Sequence, residues 1–91
     1  MSIDERFAKF HKDNPHIYAL LVRFSLMAKN SGFHNYGMKA IFERVRWHIN
    51  VETKSRDGFK LSNDYTSRYA RLLDQHPNLK GFFNMRSLRS N

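Results

Sequence analysis

The chain has 91 residues, sixteen of them Lys or Arg against eight Asp or Glu, for a formal net charge of +8 and a pI near 10.2. That length sets a single domain with a thin stability margin, because small domains bury a smaller share of their surface, and the charge calls for a polyanionic partner or an acidic protein surface. The absence of Cys excludes disulfides and thiolate metal sites, no apolar run approaches the roughly 18 residues that span a bilayer, and the start MSIDERF is too charged for a secretory leader, so the expected setting is the cytoplasm.

Ser2-Ile3-Asp4-Glu5 reads as a capping box, with Ser2 accepting from the amide three residues on and Glu5 reaching back. A first helix is expected over about 2–14, with Ile3, Phe7 and Phe10 on one narrow stripe, lying on the outside of the domain. Pro15 disfavours helical geometry at Asn14 and suits the first turn of a second helix, which Asn14 is placed to cap. That helix runs over about 15–30. Its main stripe is Ile17, Leu20, Leu21, Phe24, Met27 and Ala28, and Tyr18, Val22 and Leu26 form a second stripe on nearly the opposite side, so it should be packed from two directions. Ser31-Gly32 is a stop, with Gly32 able to take the left-handed conformation.

Phe33 to Tyr36 connect to a third helix over about 37–50, opened by Asn35 or Gly37. Met38, Ile41, Phe42, Val45 and Ile49 line its apolar face. Lys39, Glu43, Arg46 and Asn50 line a flank that is either a solvated face, with Lys39 and Glu43 paired, or a base-reading stripe in a major groove. Trp47 stands opposite the apolar face. It is either covered by Phe82 and Phe83 or exposed as an anchor for a partner protein, with Arg44 on the same side.

Val51 to Lys54 favour β structure, Ser55-Arg56-Asp57-Gly58 is turn chemistry, and Phe59-Lys60-Leu61 suits a return strand. Residues 51–61 therefore read as a short hairpin or as an ordinary exposed loop. With the hairpin, the order of elements is that of a winged helix, and Lys54, Arg56 and Lys60 would reach phosphates. Ser62-Asn63-Asp64 caps a fourth helix over about 63–76, its inward stripe Tyr65, Tyr69, Leu72, Leu73 and His76, and Arg68, Arg71 and Gln75 on its outer face. Pro77 closes it. An aromatic segment over 77–88 brings Phe82 and Phe83 to finish the core, and Arg86 and Arg89 end the chain as a basic tail. The expected fold is thus mainly α: one compact four-helix domain over 1–91, with a winged-helix-like hairpin between the third and fourth helices.

Enzyme chemistry finds no support. The five histidines, His11, His16, His34, His48 and His76, lack the i, i+3 or i, i+4 pairing of metal-binding helices. Glu43 and Glu52 have nothing to join them as an acid and base. No Gly-rich phosphate loop occurs, and no cofactor or metal is expected.

The stretches FAKFHKDNPHIY, GMKAIFERVRWHINVET, FKLSNDYTSRYARLL and HPNLKGFF together resemble a family of small proteins encoded by bacteriophages and prophages, over most of residues 7–86. The most specific block is Ile-x-Glu-x-x-Arg-Trp, carried by Ile41, Glu43, Arg46 and Trp47. It is followed by Phe59, Lys60, Leu61 and Asn63, then by Tyr69, Ala70 and Arg71. The resemblance supplies context rather than mechanism: it implies a product acting in the cytoplasm of an infected bacterium. Two functions follow as expectations. One is a duplex-DNA-binding protein with Lys39, Arg46 and Asn50 in the groove and Lys54, Arg56, Lys60, Arg68 and Arg71 on phosphates. The other is an inhibitor of a host protein or defence nucleoprotein complex, anchored by Arg44 and Trp47 and blocking nucleic-acid contacts.

Overall fold

Ser2 and Glu5 close the capping box: the Glu5 amide donates to Ser2 Oγ at 3.1 Å and the Ser2 amide to Glu5 Oε1 at 3.4 Å. In the computed structural model, which describes residues 2–33, 36–53 and 60–83, this cap starts α1 (Ile3–Asp13). Helices α2 (Pro15–Asn30), α3 (Met38–Trp47) and α4 (Thr66–Asp74) follow, and no strand occurs among the described residues. The fold is mainly α.

Each boundary has a local cause. Pro15 occupies the first turn of α2, where a missing N–H costs nothing. Asn14 stands at the N-cap of α2 as expected, but its side chain makes no cap bond. Its side chain turns back and donates to the Phe10 carbonyl at 3.0 Å, closing α1 instead. Gly32, at φ +100°, ends α2 in a Schellman turn, with Gly32 N–H on Lys29 O at 3.1 Å and Phe33 N–H on Ala28 O at 3.3 Å. Gly37 stands before α3. Ser62 accepts from the Asp64 amide at 3.1 Å and opens a 3-10 turn, Asn63–Tyr65, that feeds α4.

The core is Ile17, Leu21 and Phe24 from α2, Met38, Ile41, Phe42 and Val45 from α3, Tyr69, Ala70 and Leu73 from α4, and Leu61, Leu79, Phe82 and Phe83 from the segments beside α4. Helix α2 packs on both α1 and α3, and Tyr18, Val22 and Leu26 are half-buried, as a two-striped helix requires. Met27, assigned to its main stripe, is exposed. Helix α1 has no fully buried residue. It is held by rings: Phe7 meets Tyr69 edge-on at 4.8 Å, and Phe10 meets Tyr65 at 5.1 Å. Tyr69 is wholly buried among them, and burial pushes its phenol above the usual tyrosine range.

The expected strand at Val51 is replaced by helix. Past Trp47 the chain continues as one π turn, His48–Glu52, closed by Thr53 N–H on His48 O at 2.9 Å. Continuing a helix preserves backbone hydrogen bonds that a lone β segment with no neighbouring strand would leave unmet. Lys60 and Leu61 are likewise not in a strand. The remainder of the hairpin, including Lys54 and Arg56, and the tail from residue 84 lie outside the described residues.

Arg46 joins α3 to the chain entering α4. Its Nη2 donates to the Leu61 carbonyl and to Asn63 Oδ1 at 2.8 Å, its Nε also reaches Leu61 O at 3.2 Å, and its Nη1 pairs with Glu43. Replacing it by Met would keep the aliphatic stem and leave these acceptors unmet. Arg46→Met should cost about 2 kcal/mol, the scale of a charged hydrogen-bond cluster, read as a lowered urea midpoint with an unchanged slope.

Candidate functional site

Exposed large apolar side chains occur at Met27 and Phe33 and at the C-terminal end of α3, and the last group stands beside a guanidinium. Trp47 is 53% exposed and Val51 49%, and both are large apolar side chains. Phe82 and Phe83 are buried in the core and leave the indole half exposed, so the expectation that they cover Trp47 does not hold. The cause is angular. The core takes Ile41, Phe42 and Val45, Arg46 turns toward Leu61, and the next residue, about 100° further round, faces away from both.

Arg44 organises this face. Its guanidinium lies 4.3 Å from the Phe24 ring centroid and 5.3 Å from that of Trp47, a cation–π arrangement on two rings worth about 0.5–1 kcal/mol per exposed contact. Its Nη1 donates to Glu52 Oε1 at 2.6 Å. His48 Nδ1 stands 3.0 Å from the same oxygen and packs its ring edge-on to Phe24 at 5.4 Å. Because an ionised carboxylate only accepts, Nδ1 of His48 carries the proton in this contact. Arg23 also lies over Phe24, at 5.2 Å. The π turn makes the Arg44–Glu52 pair: in a continued α-helix Glu52 would stand about 80° around from Arg44, and the wider turn brings it back into line.

The residues expected on DNA are divided. Arg46 is three-quarters buried and bonded to Leu61, Asn63 and Glu43, so Glu43 pairs with Arg46 at i+3. Arg68, 13% exposed, donates to Asp4 Oδ1 at 3.0 Å and ties α4 to α1. Lys39, Asn50, Lys60 and Arg71 are on the surface, and Lys54 and Arg56 lie outside the described residues. Arg44 and Trp47, the expected protein anchors, are together. Sequence reasoning missed Glu52, His48 and Phe24 as members of this face. Phe24 reads as core and is core, and Glu52 pairs at a spacing of eight, which no α-helical rule connects.

Among the described residues no group of three or more His, Asp or Glu side chains is placed to hold a metal ion, and no helix is long and apolar enough to cross a membrane. No protein-family model, curated protein or solved structure matches this chain.

The Glu52 carboxyl is held below the ordinary glutamate value of 4.5, first by the hydrogen bond from Arg44 and then by that from His48. A carboxyl depressed on folding contributes stability that is complete above its unfolded value and lost as pH falls through its folded one. Trp47 is the sole Trp and stacks on Arg44, so it reports the event. Acid titration should give a step in Trp47 emission with a midpoint below 4.5, before global unfolding, and Glu52→Gln should abolish it. A step unchanged in that variant would refute the assignment.

Proposed function

We propose that the chain is a non-catalytic binding protein that docks on a partner protein through the Arg44–Trp47 face. The observation that carries this reading is the half-exposed indole of the sole Trp, held beside a guanidinium that is itself braced on Phe24. Trp and Arg dominate interface hot spots, because each contributes large contact area together with a directional polar group. A pre-braced Arg44 loses little rotamer freedom on binding, which lowers the cost of association. The resemblance to phage-encoded proteins would make the partner a bacterial protein or defence nucleoprotein complex. The net charge of +8 suits one whose own surface is acidic.

Duplex-DNA binding is the second reading, favoured by that charge and by the surface positions of Lys39, Asn50, Lys60 and Arg71. It would use them for phosphate and groove contacts, with Lys54 and Arg56 as further candidates for phosphate. Arg46 and Arg68 would then act as positioning residues, through the bonds they make within the fold.

One experiment separates the two. Tagged chain is exposed to bacterial lysate with and without nuclease. Protein docking predicts one stoichiometric protein retained after nuclease treatment and lost with Trp47→Ala, a surface change expected to alter stability by less than about 1 kcal/mol. DNA binding predicts retention that nuclease abolishes, together with a duplex affinity whose log falls against log[salt] by about 0.9 per phosphate neutralised. Retention of the same protein by Trp47→Ala would remove the first reading.

A further inference from the structure

We propose that Glu52 is an internal stand-in for a carboxylate of the partner. The Arg44–Trp47–Val51 face takes an acidic segment of another protein, an Asp or Glu flanked by apolar side chains, whose carboxylate replaces Glu52 on Arg44. This rests on the protein-docking reading and adds the chemistry of the ligand and an internal competitor.

Three observations point there. First, Arg44 meets Glu52 through Nη1 alone, whereas a guanidinium can grip a carboxylate through two parallel N–H bonds. An incoming carboxylate can therefore form a better bond than the one it displaces. Second, Glu52 has somewhere to go, since His48 Nδ1 already shares its Oε1. Releasing Arg44 leaves Glu52 paired rather than stranded. Third, Trp47 and Val51 are exposed apolar side chains three and seven residues beyond Arg44, so the groups that flank the ligand's carboxylate meet apolar surface.

Charge complementarity selects the occupant. Arg23 and Arg44 both stand over Phe24 beside the carboxylate of Glu52, on a chain of net charge +8. An acidic segment is attracted. A nucleic-acid strand could stack a base on Trp47, but it carries a phosphate at every nucleotide and would meet the Glu52 carboxylate with repulsion.

The test uses the intact chain, with Trp47 emission as a signal from within the face. The probes are a short blocked peptide alternating Leu with Glu, its Leu/Gln counterpart, and a mixed-sequence oligonucleotide in single- and double-stranded form. The Leu/Glu peptide should give a saturable change and the Leu/Gln peptide none. Glu52→Gln should tighten binding of the Leu/Glu peptide by about fivefold, the scale of one exposed ion pair removed from competition. Arg44→Gln should abolish the response. Arg44→Lys keeps the charge without the planar fork and should weaken it by about tenfold. Lys12→Gln, on the exposed side of α1, matches the charge loss and should leave affinity unchanged. Circular dichroism of each variant establishes that it is folded.

Unchanged affinity in Glu52→Gln, with binding still lost in Arg44→Gln, would overturn the stand-in and leave protein docking in place. Response to the oligonucleotide and not to the peptide would overturn both, in favour of nucleic acid. A Trp47 signal that depends on protein concentration without any probe would assign the face to a second copy of the chain. No response to the Leu/Glu peptide would also overturn the inference, while docking itself is still judged by nuclease-resistant retention.

Discussion

The commitment of Arg46 to the inside of the fold decides what the other faces of α3 can do. Its guanidinium bonds the Leu61 carbonyl, Asn63 and Glu43, and so fixes the segment that enters α4 against the flank of α3. With Ile41, Phe42 and Val45 in the core and Arg46 turned to that segment, the remaining arc of the helix carries Arg44 and Trp47. Their exposure follows from helical geometry once those two faces are spent.

The π turn then adds Glu52 to this arc. Past Trp47 the helix continues as a π turn, and widening it by one residue rotates Glu52 into line with Arg44. Such turns are frequent at functional positions because they realign side chains without breaking the helix. Phe24, from α2, supplies the floor on which both Arg44 and His48 rest. The face therefore depends on the packing of α2 against α3 as much as on its own side chains. In a small domain with a thin margin, the same aromatic that closes the core also supports the surface chemistry.

Much of the helical frame is written in local signals. Ser2 and Glu5, Pro15, Gly32 and Ser62 each act within a few residues, and the boundaries of α1, α2 and the start of α4 follow from them. The apolar faces of α3 and α4 follow from periodicity, with Met38, Ile41, Phe42, Val45, Tyr69 and Leu73 all buried. What local reasoning misses is settled at longer range. Val51 and Glu52 lie in a β-favouring stretch, yet they extend the helix as a π turn. Arg46 sits on a stripe that looks base-readable, yet its acceptors arrive from fifteen and seventeen residues away. The site was half legible: Arg44 and Trp47 stood out by residue type and angle, whereas Phe24, His48 and Glu52 join them only through tertiary packing and a turn with no sequence signature.

We propose that the working face is the Arg44–Trp47 side of α3 rather than its Lys39–Asn50 flank. Nuclear magnetic resonance of the labelled chain, titrated with the captured partner or with the Leu/Glu peptide, tests this most directly. The largest shifts should fall on the Trp47 indole N–H, the Arg44 side-chain Nε–H and the Val51 methyls, with Lys39, Lys60 and Arg71 little changed. Shifts centred on Lys39, Asn50, Lys60 and Arg71, with the indole N–H unmoved, would contradict it.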